Sequence, residues 1–315
     1  MDGGAAFTML EGVQFFPVTP FTPTGSINLE VFSEHVRTGL DDGAGGVFVA
    51  CGTGEFHALS PDEYARLVGV AVEVTHGRVP VFAGAGGSLP AAQQFARMAH
   101  DAGADGLLLL PPYLVQAPQA GLVAYTKAVV SATDLPAIVY HRGTARFDVA
   151  SAVEVARLPQ VIGLKDGHGD LELLSCIILA IRSALAESGK PFLFLNGLPT
   201  AEATVPAYRG IGVDLYSSAV FCFAPEIAMA FYRAVAKGDT ALAERLQYEF
   251  FHPLAALRRL VPGYAVSLVK AAVRLRGLEV GGVRPPLVDP LPEHVESLRR
   301  LTDLGRAICV QEASQ

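Results

Sequence analysis

The chain has 315 residues, 51% hydrophobic and 17% charged, a core-rich composition that excludes an intrinsically disordered protein. Its net charge of -7 is spread along the chain with no basic stripe, so nucleic acid is not an expected partner. Cys51, Cys176, Cys222 and Cys309 lie far apart with no C-x-x-C pair, which argues against a zinc or disulfide scaffold and for reduced thiols in the cytoplasm.

The opening MDGGAAFTMLEG has neither the basic nor the apolar region of a signal peptide. Short apolar runs then alternate with helical patterns. The runs are VQFFPV (13–18), GVFVA (46–50), VPVFA (79–83), GLLLL (106–110), PAIVY (136–140), VIGLK (161–165), FLFLN (192–196) and VDLYS (213–217). Ser60 and Ser88 stand where helix N-caps belong, and DDGAGG and DAGADG each read as a helix stop followed by a strand start. Eight strands ending roughly 20–33 residues apart fit a (β/α)8 TIM barrel. Near-continuous apolarity suits parallel strands covered on both faces. A doubly wound sheet would want a dinucleotide fingerprint after an early strand, and GAGG at 84–87 matches it poorly.

After residue 224 the strands stop. Residues 225–236, 240–260, 264–276 and 292–308 read as helices, broken at Gly238–Asp239 and at VPGY (261–264). The expected organisation is a barrel over 1–224 with a helical bundle over 225–315 packed on it. The most apolar late stretch, SSAVFCFAPEIAMAFYRAV, is interrupted by Pro225, Glu226 and Arg233, so no membrane partner is expected.

Barrel enzymes carry their chemistry at the C-terminal ends of the strands. There, VIGLKDGHGD (161–170) ends an apolar strand on Lys165 and then breaks into glycines. Alternation puts Gly163 and Val161 on the face of Lys165, with Ile162 and Leu164 toward the helices. Tyr140 ends the preceding strand, so amine and phenol can share the barrel mouth. A lysine at ~10.4 is almost wholly charged at neutral pH, but desolvation can bring it to roughly 7–8, where the amine attacks a ketone. The iminium then stores electrons from adjacent carbons, and a phenol can shuttle the protons. A snorkelling surface lysine is the competing reading of Lys165. CGTGEF (51–56) offers a tight turn whose N–H groups at Gly52, Thr53 and Gly54 could hold a carboxylate; a plain strand-to-helix turn would look the same.

GLKDG, the VY before it, GTGE and FPVTPF together resemble the dihydrodipicolinate synthase / N-acetylneuraminate lyase family over nearly the whole chain. LLLLPPYL, NGLPTAE, YSSAVF and GYAVSLVKA are similar to the 5-dehydro-4-deoxyglucarate dehydratase branch in particular. The resemblance implies a class I lyase in which Lys165 is the Schiff-base lysine, Tyr140 its proton-relay partner, and Gly52 and Thr53 the ligands of the 2-oxo acid carboxylate. Gly52 replaces the first of two hydroxyl residues in the synthase turn, and Leu114 follows Tyr113, so the synthase relay cannot be built. The implied reaction is loss of water and carbon dioxide from 5-dehydro-4-deoxy-D-glucarate to give 2,5-dioxopentanoate, with no metal or organic cofactor. Another 2-oxo acid aldolase of the family, or a barrel that binds a sugar acid without turnover, are the alternatives. The expected partner is a small 2-oxo sugar acid. The expected assembly is a homo-oligomer, a dimer or tetramer, with contacts through LLPPYL and the C-terminal helices.

Asn196, Ser217 and Ser218, at the ends of the last two strands, are candidate ligands for substrate hydroxyls or the far carboxylate; a turn former and an N-cap are the competing readings. Arg142 could pair with a carboxylate or make a weak surface ion pair. His141 stands where the family resemblance implies an amide. His168 reads as a loop residue and Cys51 as a small packed one.

Overall fold

The computed structural model describes residues 10–313. Eight parallel strands close into a barrel: β1 (Val13–Phe15), β2 (Gly46–Val49), β3 (Val81–Gly87), β4 (Gly106–Pro112), β5 (Ala137–His141), β6 (Val161–Asp166), β7 (Leu193–Asn196) and β8 (Leu215–Ser218), with β8 pairing back onto β1. The helices between them are α1 (Leu29–Asp41), α2 (Pro61–Thr75), α3 (Leu89–Asp101), α4 (Gln119–Val130), α5 (Val149–Ala156), α6 (Leu171–Leu185) and α7 (Val205–Gly210). Their starts are written locally. Ser60 forms a full capping box with Glu63, and Asn28, Asp148 and Asp170 cap through their side chains. Ser88 holds the N-cap position of α3 without a side-chain cap bond.

After β8 come α8 (Pro225–Lys237), α9 (Thr240–Leu246), a π turn (Gln247–Phe251), α10 (His252–Arg259), α11 (Tyr264–Leu275) and α12 (Pro292–Ala313). The sequence predicts one helix over 240–260. Pro253 has no N–H to give the carbonyl four residues back, and the register widens there: His252 N–H bonds Gln247 O, five residues away. Among the described residues no helix is long and apolar enough to cross a membrane.

Two apolar clusters share the strands. The outer one joins strands to helices, and the inner one fills the barrel with Leu10, Phe16, Phe48, Cys51, Phe82, Leu108, Ile138, Tyr140, Ile162 and Leu195. Phe16, Phe48 and Phe82 stack with centroids 4.6 and 5.0 Å apart. Ile162 corrects the simple alternation. Ala137 pairs with Val161 but Ile138 pairs with Gly163, so β6 carries one extra residue. This bulge turns Ile162 into the barrel and Val161 out of it, and beyond it Gly163 and Lys165 share the inner face.

Candidate active site

Register places the site. Tyr140 of β5 pairs with Lys165 of β6, which pairs with Leu195 of β7, so all three face the barrel interior in one layer. Lys165 is only 3% exposed. Its Nζ lies 3.8 Å from the centroid of Phe16 and 4.8 Å from that of Tyr140, and it makes no hydrogen bond or ion pair among the described residues. Burial drives the amine down to about 7, and the Arg142 guanidinium adds to the depression. Cys51, beside it, is a neutral thiol at physiological pH, because its own burial pushes it up to about 12. A large share of the amine is therefore uncharged at neutral pH and available for attack on a carbonyl.

Tyr140 is held from both sides. Its hydroxyl donates to Gly197 O at 2.7 Å and accepts from Arg142 Nη1 at 2.8 Å. Burial raises the phenol, and the guanidinium opposes that rise. Two glycines make room for the pair. A Cβ on Gly197 would sit 2.5 Å from Lys165 Cε, and one on Gly167 would sit 2.8 Å from Tyr140 Cε2. Gly197→Ala is expected to displace the amine and lower kcat/KM by about 10²-fold while the circular dichroism spectrum is retained. Wild-type kinetics in that variant would show that the lysine stem has slack.

The anion turn lies at the end of β2. Ala50 and Glu55 bracket it with φ of 49° and 56°, and bonds from Glu55 N to Gly52 O and from Phe56 N to Cys51 O, each 3.1 Å, close it. Gly52 is exposed and Thr53 half-buried, and the N–H groups of Gly52, Thr53 and Gly54 donate to no protein acceptor among the described residues. Gly54 is wedged against Ala50 and Pro17 O, and Thr19 Oγ1 donates to its carbonyl at 2.6 Å. Glu55 anchors the turn from behind. It is fully buried, pairs with Lys270 Nζ of α11 at 2.8 Å, and accepts from the Arg284 N–H at 2.9 Å. Lys270 also donates to Gly282 O at 2.5 Å and lies 4.1 Å from the centroid of Phe21.

Behind the inner layer runs an outward-facing polar one, in which His141, Asp166 and Asn196 are in register. Asp166 accepts from His168 N at 3.2 Å, Gly169 N at 3.0 Å and the Tyr208 hydroxyl, which shapes the loop after Lys165. His141 Nδ1 accepts from Phe147 N at 3.1 Å, which leaves its proton on Nε2, 3.9 Å from Asp166 Oδ1. Burial pushes His141 down to about 4 against the pull of Asp166, so the ring is neutral. His168 packs edge-on against it, with centroids 4.6 Å apart. Both histidines support the loop.

Two expected substrate ligands lie elsewhere. Asn196 spends its amide on Ala201 O at 3.2 Å, Thr204 Oγ1 at 2.9 Å and Leu198 N at 3.1 Å. Ser218 donates to the Glu202 carboxyl and caps Phe221 N at 3.1 Å. Burial raises the Glu202 carboxyl. Both side chains face the helical layer with their hydrogen bonds satisfied, so the reading of Asn196 and Ser218 as ligands is corrected to a turn former and a cap. Ser217 is half-buried on the inner face, and its long 3.5 Å bond to Asn196 O leaves its hydroxyl available. Gly197 and the Glu55–Lys270 pair escape a sequence reading centred on strand-end side chains. The available signal was a lone lysine inside the apolar helix SLVKAAV and an acid directly after the GTG turn.

The chain matches the Dihydrodipicolinate synthetase family over residues 9–303. It is 55% identical over 304 residues to the probable 5-dehydro-4-deoxyglucarate dehydratase 1 of Streptomyces avermitilis, covering 96% of each chain. It is 56% identical over 303 residues to the probable 5-dehydro-4-deoxyglucarate dehydratase of Streptomyces griseus subsp. griseus, covering 96% of this chain and 94% of the other. Among solved structures, dihydrodipicolinate synthase from Oceanobacillus iheyensis superposes with a TM-score of 0.88 at 24% identity, covering 97% of this chain and 100% of that one. The same barrel, an inward lysine at the end of β6 and a match spanning nearly the whole chain lead to one assignment: the protein belongs to the dihydrodipicolinate synthetase family.

Proposed function

We propose that the protein is a Schiff-base-forming, decarboxylating 5-dehydro-4-deoxy-D-glucarate dehydratase. The observation that carries this reading is the buried Lys165 amine, unpaired among the described residues and set between the rings of Phe16 and Tyr140. The names of the relatives support the substrate. Gly52 and Thr53 hold the carboxylate next to the ketone, and Ser217 serves a substrate hydroxyl. Lys165 attacks the ketone and releases water, with Tyr140 relaying protons as the carbinolamine collapses.

Chemistry then fixes the order. The iminium acidifies the neighbouring methylene, whose proton is lost to give an enamine. The enamine expels the β-hydroxyl as water and leaves a conjugated unsaturated iminium. Only now is the carbon bearing the far carboxylate conjugated to nitrogen, so dehydration precedes decarboxylation. Carbon dioxide leaves, its bond electrons pass along the conjugated chain to nitrogen, and protonation gives an enol that becomes the aldehyde. Water frees Lys165, returning the molecule released at the start. The net reaction takes up one proton and releases one water and one carbon dioxide.

Incubation with 5-dehydro-4-deoxy-D-glucarate should yield carbon dioxide and 2,5-dioxopentanoate in equal amounts. Pyruvate in their place would mean an aldolase, and binding without any product would mean a non-catalytic barrel. We also infer a homo-oligomer in the cytoplasm. Tyr113, Leu114 and Val115 are 68%, 79% and 57% exposed, an apolar strip suited to a second copy. The four free cysteines suit a reducing compartment.

A further inference from the structure

We propose that Arg142 is the specificity-determining ligand for the far carboxylate of the substrate, so that the site selects six-carbon 2-oxo diacids over monoacids. The inference rests on the reading of the site given above. Arg142 follows β5 directly, and its backbone is fixed by a bridge to Ala145. Its side chain returns over the barrel mouth. The stem passes Gly167, where a Cβ would stand 3.1 Å from Arg142 Cδ, and Nη1 reaches the Tyr140 hydroxyl at 2.8 Å. That bond uses one of five guanidinium donors, so the fork remains open for a carboxylate.

Its neighbours sharpen the assignment. Arg142 has no carboxylate partner among the described residues, whereas Arg146, in the same loop, is paired with Asp170 at 2.6 Å. Arg258, close enough to feel the charge of Arg142, is committed to Pro199 O, to Thr200 Oγ1 at 3.1 Å and to Ala265 O at 2.8 Å. Among these three arginines Arg142 is thus the one whose side chain has no acid or carbonyl partner among the described residues. The phenol it touches is the one whose ring lies 4.8 Å from Lys165 Nζ. Amine and guanidinium therefore flank one side chain, and four carbon–carbon bonds, roughly 5 Å when extended, separate ketone and far carboxylate carbons in a six-carbon diacid.

Exposure of Arg142 suits the chemistry. The far carboxylate must lose its charge as carbon dioxide, and a dry, buried arginine would oppose that loss. A solvated guanidinium shared with a phenol selects the diacid at binding and lets go during the reaction.

The test uses borohydride trapping on Lys165, which reads binding without turnover. The probes are 2-oxoadipate, a six-carbon diacid lacking the β-hydroxyl, and 2-oxohexanoate, its monoacid counterpart. Wild type should reach half-trapping at about tenfold lower concentration of the diacid, Arg142→Gln should lose that preference, and Arg142→Lys should keep part of it. Equal trapping of both acids by the wild type, or a preference that survives Arg142→Gln, overturns the assignment. A role confined to holding Tyr140 would slow trapping of both acids alike and leave their ratio unchanged. Failure of the dehydratase reading would show separately, as absence of carbon dioxide from the sugar acid with the trapping preference intact.

Discussion

Replacement of Lys165 by methionine is expected to abolish turnover, by at least about 10⁴-fold, and to make the folded protein more stable. The loss of activity follows from removing the barrel-interior amine that burial holds down at about 7. The gain in stability follows from the same burial. The amine titrates at about 7 in the folded chain against an ordinary 10.5. Between those values the unfolded chain holds a proton that the folded chain has released, so wild-type stability rises with pH through this window. Below about 7 the full penalty stands, and above 10.5 it vanishes. Methionine removes it, and the variant should be roughly 2–4 kcal/mol more stable than wild type at neutral pH, a difference that closes as pH rises. Urea melts at pH 6.5 and 10 read the stability, and mass spectrometry after borohydride reads the adduct. Wild-type activity should climb as pH passes through about 7. An active methionine variant, or one no more stable than wild type at pH 6.5, would remove the basis for a desolvated nucleophile.

Lys270→Met is the second large effect, with the opposite sign. Glu55 and Lys270 are both wholly buried, and loss of the cation leaves a carboxylate without its counter-charge. The expected cost is about 3–5 kcal/mol in urea unfolding. Glu55 also closes the turn that presents Gly52 and Thr53, so KM for 2-oxo acids should rise as well. The double variant Glu55→Gln, Lys270→Met should recover much of the stability, because no charge is then stranded. A single variant as stable as wild type would mean that water reaches the pair.

The barrel was legible because parallel strands covered on both faces leave unbroken apolar runs, and eight of them recurred with helices between. The adjacency of Tyr140 and Lys165 was legible for a related reason: consecutive strands pair, and both residues end their strands. Facing was harder. Alternation within one strand gives two faces without saying which is inward, and the bulge at Ile162 resets the count inside VIGLK. Asn196 shows the same limit. It ends its strand as Tyr140 does, but it pairs with Asp166 rather than with Lys165 and so faces the helices. Gly197, one residue on, leaves the room that the stem of Lys165 occupies, and it does so by lacking a side chain. Contacts between distant segments, such as Glu55 with Lys270, leave no periodic trace in a sequence; only the oddity of a charge in an apolar helix marks them.

Vectorial synthesis gives the Glu55–Lys270 pair a further meaning. All eight strands are synthesised before residue 270, and until then the carboxylate near the start of the chain lacks its lysine partner. The turn of the first quarter gains its buried counter-charge only when the last quarter emerges. The final helices therefore complete a turn at the end of the second strand as well as forming an outer layer.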